Sequence, residues 1–409
     1  MLSLAFGTIF SILQADASNV VPIFKTARGV NLYAPYMTLR RVPSGDVNAH
    51  LRYGDWESLR RNRVVEQLTQ VGFDTVRLPV SLQPLLAEPD LLDLHFRDID
   101  AGINELLSGG LDVVVDLHVV PGGNSWNQSA ITESAEGSAF AAYRDVVDKM
   151  ARFLSKFDPH RVALELFNEP PCAAPNRADW LILQKRLFDA ARRAAPKLPL
   201  VVTGACWGSA SALTQLMASD YDDNTLFTFH FYEPHIFTHQ GTSNKSDSAS
   251  YVSRLPYPPE ASRRDEFIAE FNSRIQTERS LPAADKSRIT DHGRKYLNLY
   301  FSEKSSKDTM KTLLAGVVSW ARQNQVSMKR IWVGEFGVTR DAFGQTGTAP
   351  ADRQRWLKDA RETFEELGIG WAVWNYCCQT GIIQGDFWGP FDPAIIHALG
   401  LNDVRRPSP

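Results

Sequence analysis

From Arg28 onward, short runs of apolar and β-branched residues alternate with longer stretches whose apolar residues recur at three- and four-residue spacing. The strand-like runs fall at 29–32, 75–80, 112–118, 163–168, 200–203, 226–231, 330–335 and 371–374. Helical spacing is clear over 56–71, 139–157, 180–195 and 353–367, and weaker over 99–107. Strands that alternate with helices predict a parallel sheet, and eight of them predict a single-domain (β/α)8 TIM barrel. A doubly wound open sheet is the rival, but no GxGxxG follows the first strand.

The alternation breaks after the sixth strand, where about seventy residues separate Tyr232 from a helix starting near Lys307. An insertion over about 241–306 is expected, with a polar run at 241–250, a Pro-rich stretch at 255–259 and a helix over 264–277. A segment of that length in a compact barrel is read as a wall of the binding cleft, with peripheral decoration as the alternative.

Composition narrows the partners. A net charge of -3 supplies no field to recruit nucleic acid or an anionic membrane, so a neutral ligand acting on a monomer is expected. Cys172, Cys206, Cys377 and Cys378 lack zinc-ligand spacing, so no metal or other cofactor is expected, and thiols are favoured over a single disulfide. The apolar segment 2–13 followed by Ala15-Asp16-Ala17 reads as a signal peptide over 1–17, leaving 18–409 as the catalytic barrel of a secreted or periplasmic protein. The lack of Lys or Arg before Lys25 points the other way, toward a terminal element packed on the barrel floor.

In such a barrel the reacting groups stand at the carboxyl ends of strands. Strand four runs into Leu166-Phe167-Asn168-Glu169-Pro170, and strand seven into Trp332-Val333-Gly334-Glu335-Phe336-Gly337. Strands four and seven lie across the ring from each other, so two carboxyls can straddle a ligand over the axis. One protonated and one ionised carboxyl is what glycoside cleavage requires.

These two stretches resemble the acid/base and nucleophile signatures of glycoside hydrolase family 5, the cellulase family. The likeness extends from Arg28-Gly29-Val30-Asn31-Leu32 to Trp371-Ala372-Val373-Trp374. It implies that Glu169 is the acid/base, Glu335 the nucleophile of a retaining mechanism, and Asn168 a hydrogen-bond partner of the 2-hydroxyl of the sugar at the cleavage point. By the same likeness Arg77 supports the nucleophile, His118 lines that sugar's site, His230 and Tyr232 flank the nucleophile, and Trp374 lies beneath the sugar ring. Trp126, Trp207 and Trp388 are weaker substrate-binding candidates, as outer platforms.

The expected substrate is a β-linked polysaccharide or oligosaccharide, cut internally at β-1,4-glucan bonds, because Thr238-His239-Gln240-Gly241 resembles a segment of bacterial members. The same two glutamates would serve a β-mannanase, a β-1,3-glucanase, or a glycosidase or transglycosylase acting on an exopolysaccharide. An inactive carbohydrate-binding barrel is the reading from another class, and the complete residue set argues against it.

Overall fold

The computed structural model describes residues 24–33, 56–87, 92–119, 126–172, 179–302 and 305–401. Eight parallel strands close into a ring in sequence order: β1 (Arg28–Asn31), β2 (Thr75–Ser81), β3 (Asp112–His118), β4 (Val162–Glu165), β5 (Leu200–Thr203), β6 (Thr225–Phe231), β7 (Ile331–Phe336) and β8 (Gly370–Val373). β8 pairs with β1, from Arg28 opposite Trp371 to Val30 opposite Val373, and this contact completes the barrel. The most displaced strand end is that of β4, which stops at Glu165 instead of Asn168. Glu169 takes a left-handed φ of 46° and two prolines follow it, so the chain leaves the ladder early.

Successive side chains of a strand face opposite sides, so each strand sends one set to the barrel axis and the other to the surrounding helices. The lower interior layer is apolar: Phe24, Val114, Ala163, Val201, Leu226, Trp332 and Ala372 form one buried cluster. Two residues further along, the same parity delivers Asp116, Glu165, Thr203 and Thr228, all buried. The axis thus changes from hydrocarbon to polar within a single two-residue step. The apolar layer anchors the ring and the polar layer above it builds the site.

Among the described residues there are eight longer helices: α1 (Val64–Val71), α2 (Leu92–Ser108), α3 (Ser138–Leu154), α4 (Trp180–Ala194), α5 (Arg264–Thr277), α6 (Ala283–Ser302), α7 (Lys307–Gln323) and α8 (Pro350–Glu366). All but α5 and α6 cover the outer faces of the strands. Their apolar stripes meet large side chains such as Phe227, Trp320, Trp356 and Phe364, each contributing about 1.5–3 kcal/mol by full burial. The helix expected over 56–71 is broken into Trp56–Arg61 and α1, with Arg63 between them at φ 53°. The polar run Arg60-Arg61-Asn62-Arg63 has no apolar residue to hold that turn against the barrel. α2 begins seven residues before the predicted 99, because His95 and Ile99 extend its buried stripe among Asp93, Arg97 and Asp98.

Within the insertion, α5 and α6 pack as a hairpin, with Phe267 and Phe301 ring centroids 5.7 Å apart. Gly293 permits the approach, since a Cβ there would sit 2.0 Å from the Phe271 ring. Among the described residues no helix is long and apolar enough to cross a membrane. The segment read as a signal peptide lies outside the described residues.

Candidate active site

Along β7, Trp332 faces the axis, so strict alternation would turn Glu335 outward. The pairing with β6 prevents this: Phe229 sits opposite Val333 and His230 opposite Glu335, leaving Gly334 as an extra residue. The resulting bulge re-aims Glu335 into the barrel mouth. It requires glycine, because a Cβ on Gly334 would lie 2.7 Å from Thr228 Oγ1 and 3.3 Å from His230 Nε2. Gly334→Ala is therefore expected to lower unfolding free energy by about 1–3 kcal/mol, read from the urea midpoint. An unchanged midpoint would contradict the crowding.

Arg77 is the hub beneath the mouth, fully buried. Its Nε and Nη2 donate to Glu165 at 2.7 and 2.9 Å, and Nη2 also reaches Asn168 Oδ1 at 2.9 Å. Nη1 donates to Asn31 Oδ1 at 3.0 Å and to Glu335 Oε1 at 2.7 Å. Asp116 Oδ2 lies 3.0 Å from Nη2 and 2.6 Å from His118 Nδ1. One cation therefore faces three carboxylates. This planar five-donor fork could not be replaced by a lysine ammonium without losing contacts.

Glu335 has a second donor, the Tyr232 hydroxyl at 2.9 Å from Oε2. Glu169 is placed differently: His230 Nδ1 lies 2.8 Å from its Oε1, and its carboxyl is a quarter exposed. Among the described residues it has no Arg or Lys within ion-pair distance. A carboxylate oxygen of each glutamate and a ring nitrogen of His230 all lie within 4.8 Å of one another.

Burial raises both carboxyls above their ordinary range. For Glu335, His230 and the touching Arg77 oppose that rise, while the charge of Glu169 adds to it. Of the two carboxyls, Glu335 has a guanidinium in contact, which favours its ionised form, whereas Glu169 has no contacting cation among the described residues. Burial also holds His118 and His230 down at about 4, so both rings are neutral near pH 7.

The mouth opens into a cavity of about 640 Å³, lined among others by His118, Glu169, His230, Tyr232, Glu335 and Trp374. Trp374 stacks on His118 with centroids 5.6 Å apart and meets Tyr33 edge-on at 5.5 Å. The eight principal residues named from the sequence are thus brought together. Trp207, about half exposed, also lines the cavity. Trp126 and Trp388 are not among the described residues lining it, and Trp388 packs instead near Tyr376. Of the insertion, Asn244 and Asp247 reach the cavity.

One further expectation needs correction. Cys172 and Cys206 form a disulfide rather than thiols, because the loops after β4 and β5 bring residues 34 apart in sequence side by side. Asp116, Glu165, Asn31 and Tyr33 were not singled out from the sequence. The signal for the first two was available: a lone acid inside an otherwise apolar strand, as in Val-Val-Val-Asp-Leu-His and Val-Ala-Leu-Glu, must find a partner on the axis. Glu169, His230 and Glu335 could together ligate a cation, but only in competition with the Arg77 and Tyr232 contacts to Glu335.

The family model of cellulase (glycosyl hydrolase family 5) matches residues 41–379. Endoglucanase C of Acetivibrio thermocellus is 26% identical over 319 residues, covering 76% of this chain and 82% of that protein. Among solved structures, the cellulose synthase subunit Z of Clostridioides difficile superposes with a TM-score of 0.63 at 22% identity, covering 92% of this chain and 99% of that one. Thermotoga maritima Cel5A in complex with cellobiose gives 0.62 at 19% identity, with 94% and 99% covered.

Proposed function

The chain belongs to the cellulase family, glycosyl hydrolase family 5, and from that premise we propose that it is a retaining endo-β-1,4-glucanase with Glu335 as nucleophile and Glu169 as acid/base. The observation that carries this reading is the unequal pair of carboxyls: oxygens within 4.8 Å, one held by Arg77 and Tyr232, the other without a cation. Retaining sites set their carboxyls about 5–5.5 Å apart, whereas inverting sites need about 6.5–9.5 Å to admit a water.

In the first step Glu169 gives its proton to the leaving oxygen while Glu335 attacks the anomeric carbon, forming a glycosyl-enzyme. Esterification removes the negative charge of Glu335, so the neighbouring carboxyl gives up its proton more readily and Glu169 becomes the base that activates water. Asn168 is held at Oδ1 by Arg77 and reaches His118 Nε2 with Nδ2 at 3.4 Å, which leaves one amide N–H for the sugar's 2-hydroxyl. Trp374 offers a flat face to the ring's axial hydrogens. Tyr232 releases its hydrogen bond as charge leaves Glu335.

The pH profile follows by sign. Glu335 must be ionised, so kcat/KM falls as pH drops through its pKa; Glu169 must hold its proton, so kcat/KM falls as pH rises through its own. Burial moves both limbs upward. With an aryl glycoside whose leaving group needs no proton, Glu169→Gln is expected to lose the alkaline limb and keep the acid one. An alkaline limb that survives in E169Q would assign it to another group.

The substrate is tested by reducing-sugar release from carboxymethylcellulose, mannan and laminarin, with the anomer of the first product read by proton NMR. The expected result is cleavage of the cellulose derivative with a β-anomer first. An α-anomer would exclude retention, and binding without cleavage would favour the carbohydrate-binding reading. Mannan belongs in the panel because Thermotoga maritima Cel5A was solved with mannotriose as well as cellobiose. Export to an oxidising compartment is part of the proposal, supported by the Cys172–Cys206 disulfide.

A further inference from the structure

The turn after β5 has an unusual backbone. Cys206, Trp207 and Gly208 take φ values of 52°, 61° and 65°, three left-handed residues in succession. Only Gly208 does so without a Cβ penalty, so this conformation persists only where its surroundings enforce it. Three bonds do so. Cys206 is tied to Cys172, the Trp207 N–H donates to the Pro170 carbonyl at 2.8 Å, and Ser209 bridges to His230 of β6. Two of the three run to the segment that leaves Glu169, since Pro170 is its neighbour and Cys172 lies three residues on. The product of this turn is an indole about half exposed in the catalytic cavity.

Its position within the cavity is set by the ring. Trp374, with Tyr33 and His118, stands on the β8–β1–β3 side. Trp207 stands on the β4–β5 side, bonded through its backbone to the residue after Glu169 and lining the same cavity, where Glu169 as acid would protonate the leaving oxygen. A sugar beyond that oxygen would meet Trp207.

We propose that the Cys172–Cys206 disulfide is a positioning clamp that holds Trp207 in its left-handed turn as the platform for the leaving-group sugar. It thereby ties acceptor-side binding to the loop that carries the acid/base. This assignment rests on the glycosidase reading for its ligand, but the clamp itself concerns only where the indole sits. Without the bond, Cys206 and Trp207 can return to ordinary backbone conformations and the indole leaves the cavity wall.

The test has two arms. In protein labelled with 5-fluorotryptophan, Trp207→Phe identifies one fluorine resonance. In the Cys172→Ser, Cys206→Ser double variant that resonance is expected to shift and broaden while the remaining tryptophan lines stay in place; an unchanged Trp207 line overturns the clamp. In the kinetic arm, on a six-sugar oligomer of the glycan that is cut, Trp207→Ala is expected to raise KM about tenfold and the double serine variant about fivefold, with kcat within about twofold. The triple variant should be no worse than Trp207→Ala alone, because both changes remove the same contact. Multiplying losses, of about fiftyfold in KM, or a fall in kcat without a change in KM, would reduce the disulfide to a general structural role and overturn the proposal. A shifted resonance in a protein that cuts no glycan would count against the glycosidase reading and leave the clamp standing.

Discussion

Glu335→Ala is expected to lower turnover of the preferred β-glycan at least a thousandfold, about 4 kcal/mol of transition-state stabilisation. The bulge at Gly334 exists to present this one carboxylate, and no other described acid shares its contacts with Arg77 and Tyr232. Azide added to E335A should fill the vacated space and yield the α-glycosyl azide, an inverted product. Glu169→Ala is expected to lose as much on the glycan. On an aryl glycoside with a good leaving group its first step is spared, so glycosyl-enzyme accumulates and azide returns the β-glycosyl azide. Near-normal turnover by either variant would end the assignment, and exchanged azide stereochemistry would reverse the two roles.

The second large effect lies beneath the cavity. Arg77→Ala would leave Asp116, Glu165 and Glu335 buried around one missing cation, and removing one partner of a buried ionic cluster costs about 3–5 kcal/mol. The urea midpoint should fall accordingly, and turnover should vanish with the orientation of Glu335. Arg77→Lys restores the charge but not the fork. More than half of the stability is expected to return, while kcat stays at least tenfold below the parent, about 1.4 kcal/mol, because one ammonium cannot hold Glu165, Asn31 and Glu335 together. Equal recovery of stability and activity in R77K would show that charge alone suffices.

How much of the site the sequence disclosed can be judged residue by residue. Glu169 and Glu335 were visible because each follows an apolar run within a dense local motif, and strand order around a closed barrel places their strands three apart, so both carboxyls reach one mouth. His118, His230 and Tyr232 were visible as residues at strand ends, and Arg77 as a cation inside an apolar strand, once the family likeness was seen. Their partners were not. Arg77 and Glu165 are 88 residues apart and Arg77 and Glu335 are 258 apart, so which acid meets which donor depends on register across the ring. Neither Trp126 nor Trp388 is among the described residues lining the cavity, and an indole in a loop has no period to say which way it faces.

Local periodicity, acting over a few residues, was enough to specify eight strands, their enclosing helices and the barrel, because burying alternate faces has one economical solution for that pattern. It also supplied the two glutamates. The bulge that turns Glu335 inward, the three-carboxylate cluster on Arg77, the entry of Tyr33, and the bond between Cys172 and Cys206 were decided only by the packed chain. Each depends on atoms that come within a few ångströms after the ring has closed, and no spacing along the chain encodes that distance.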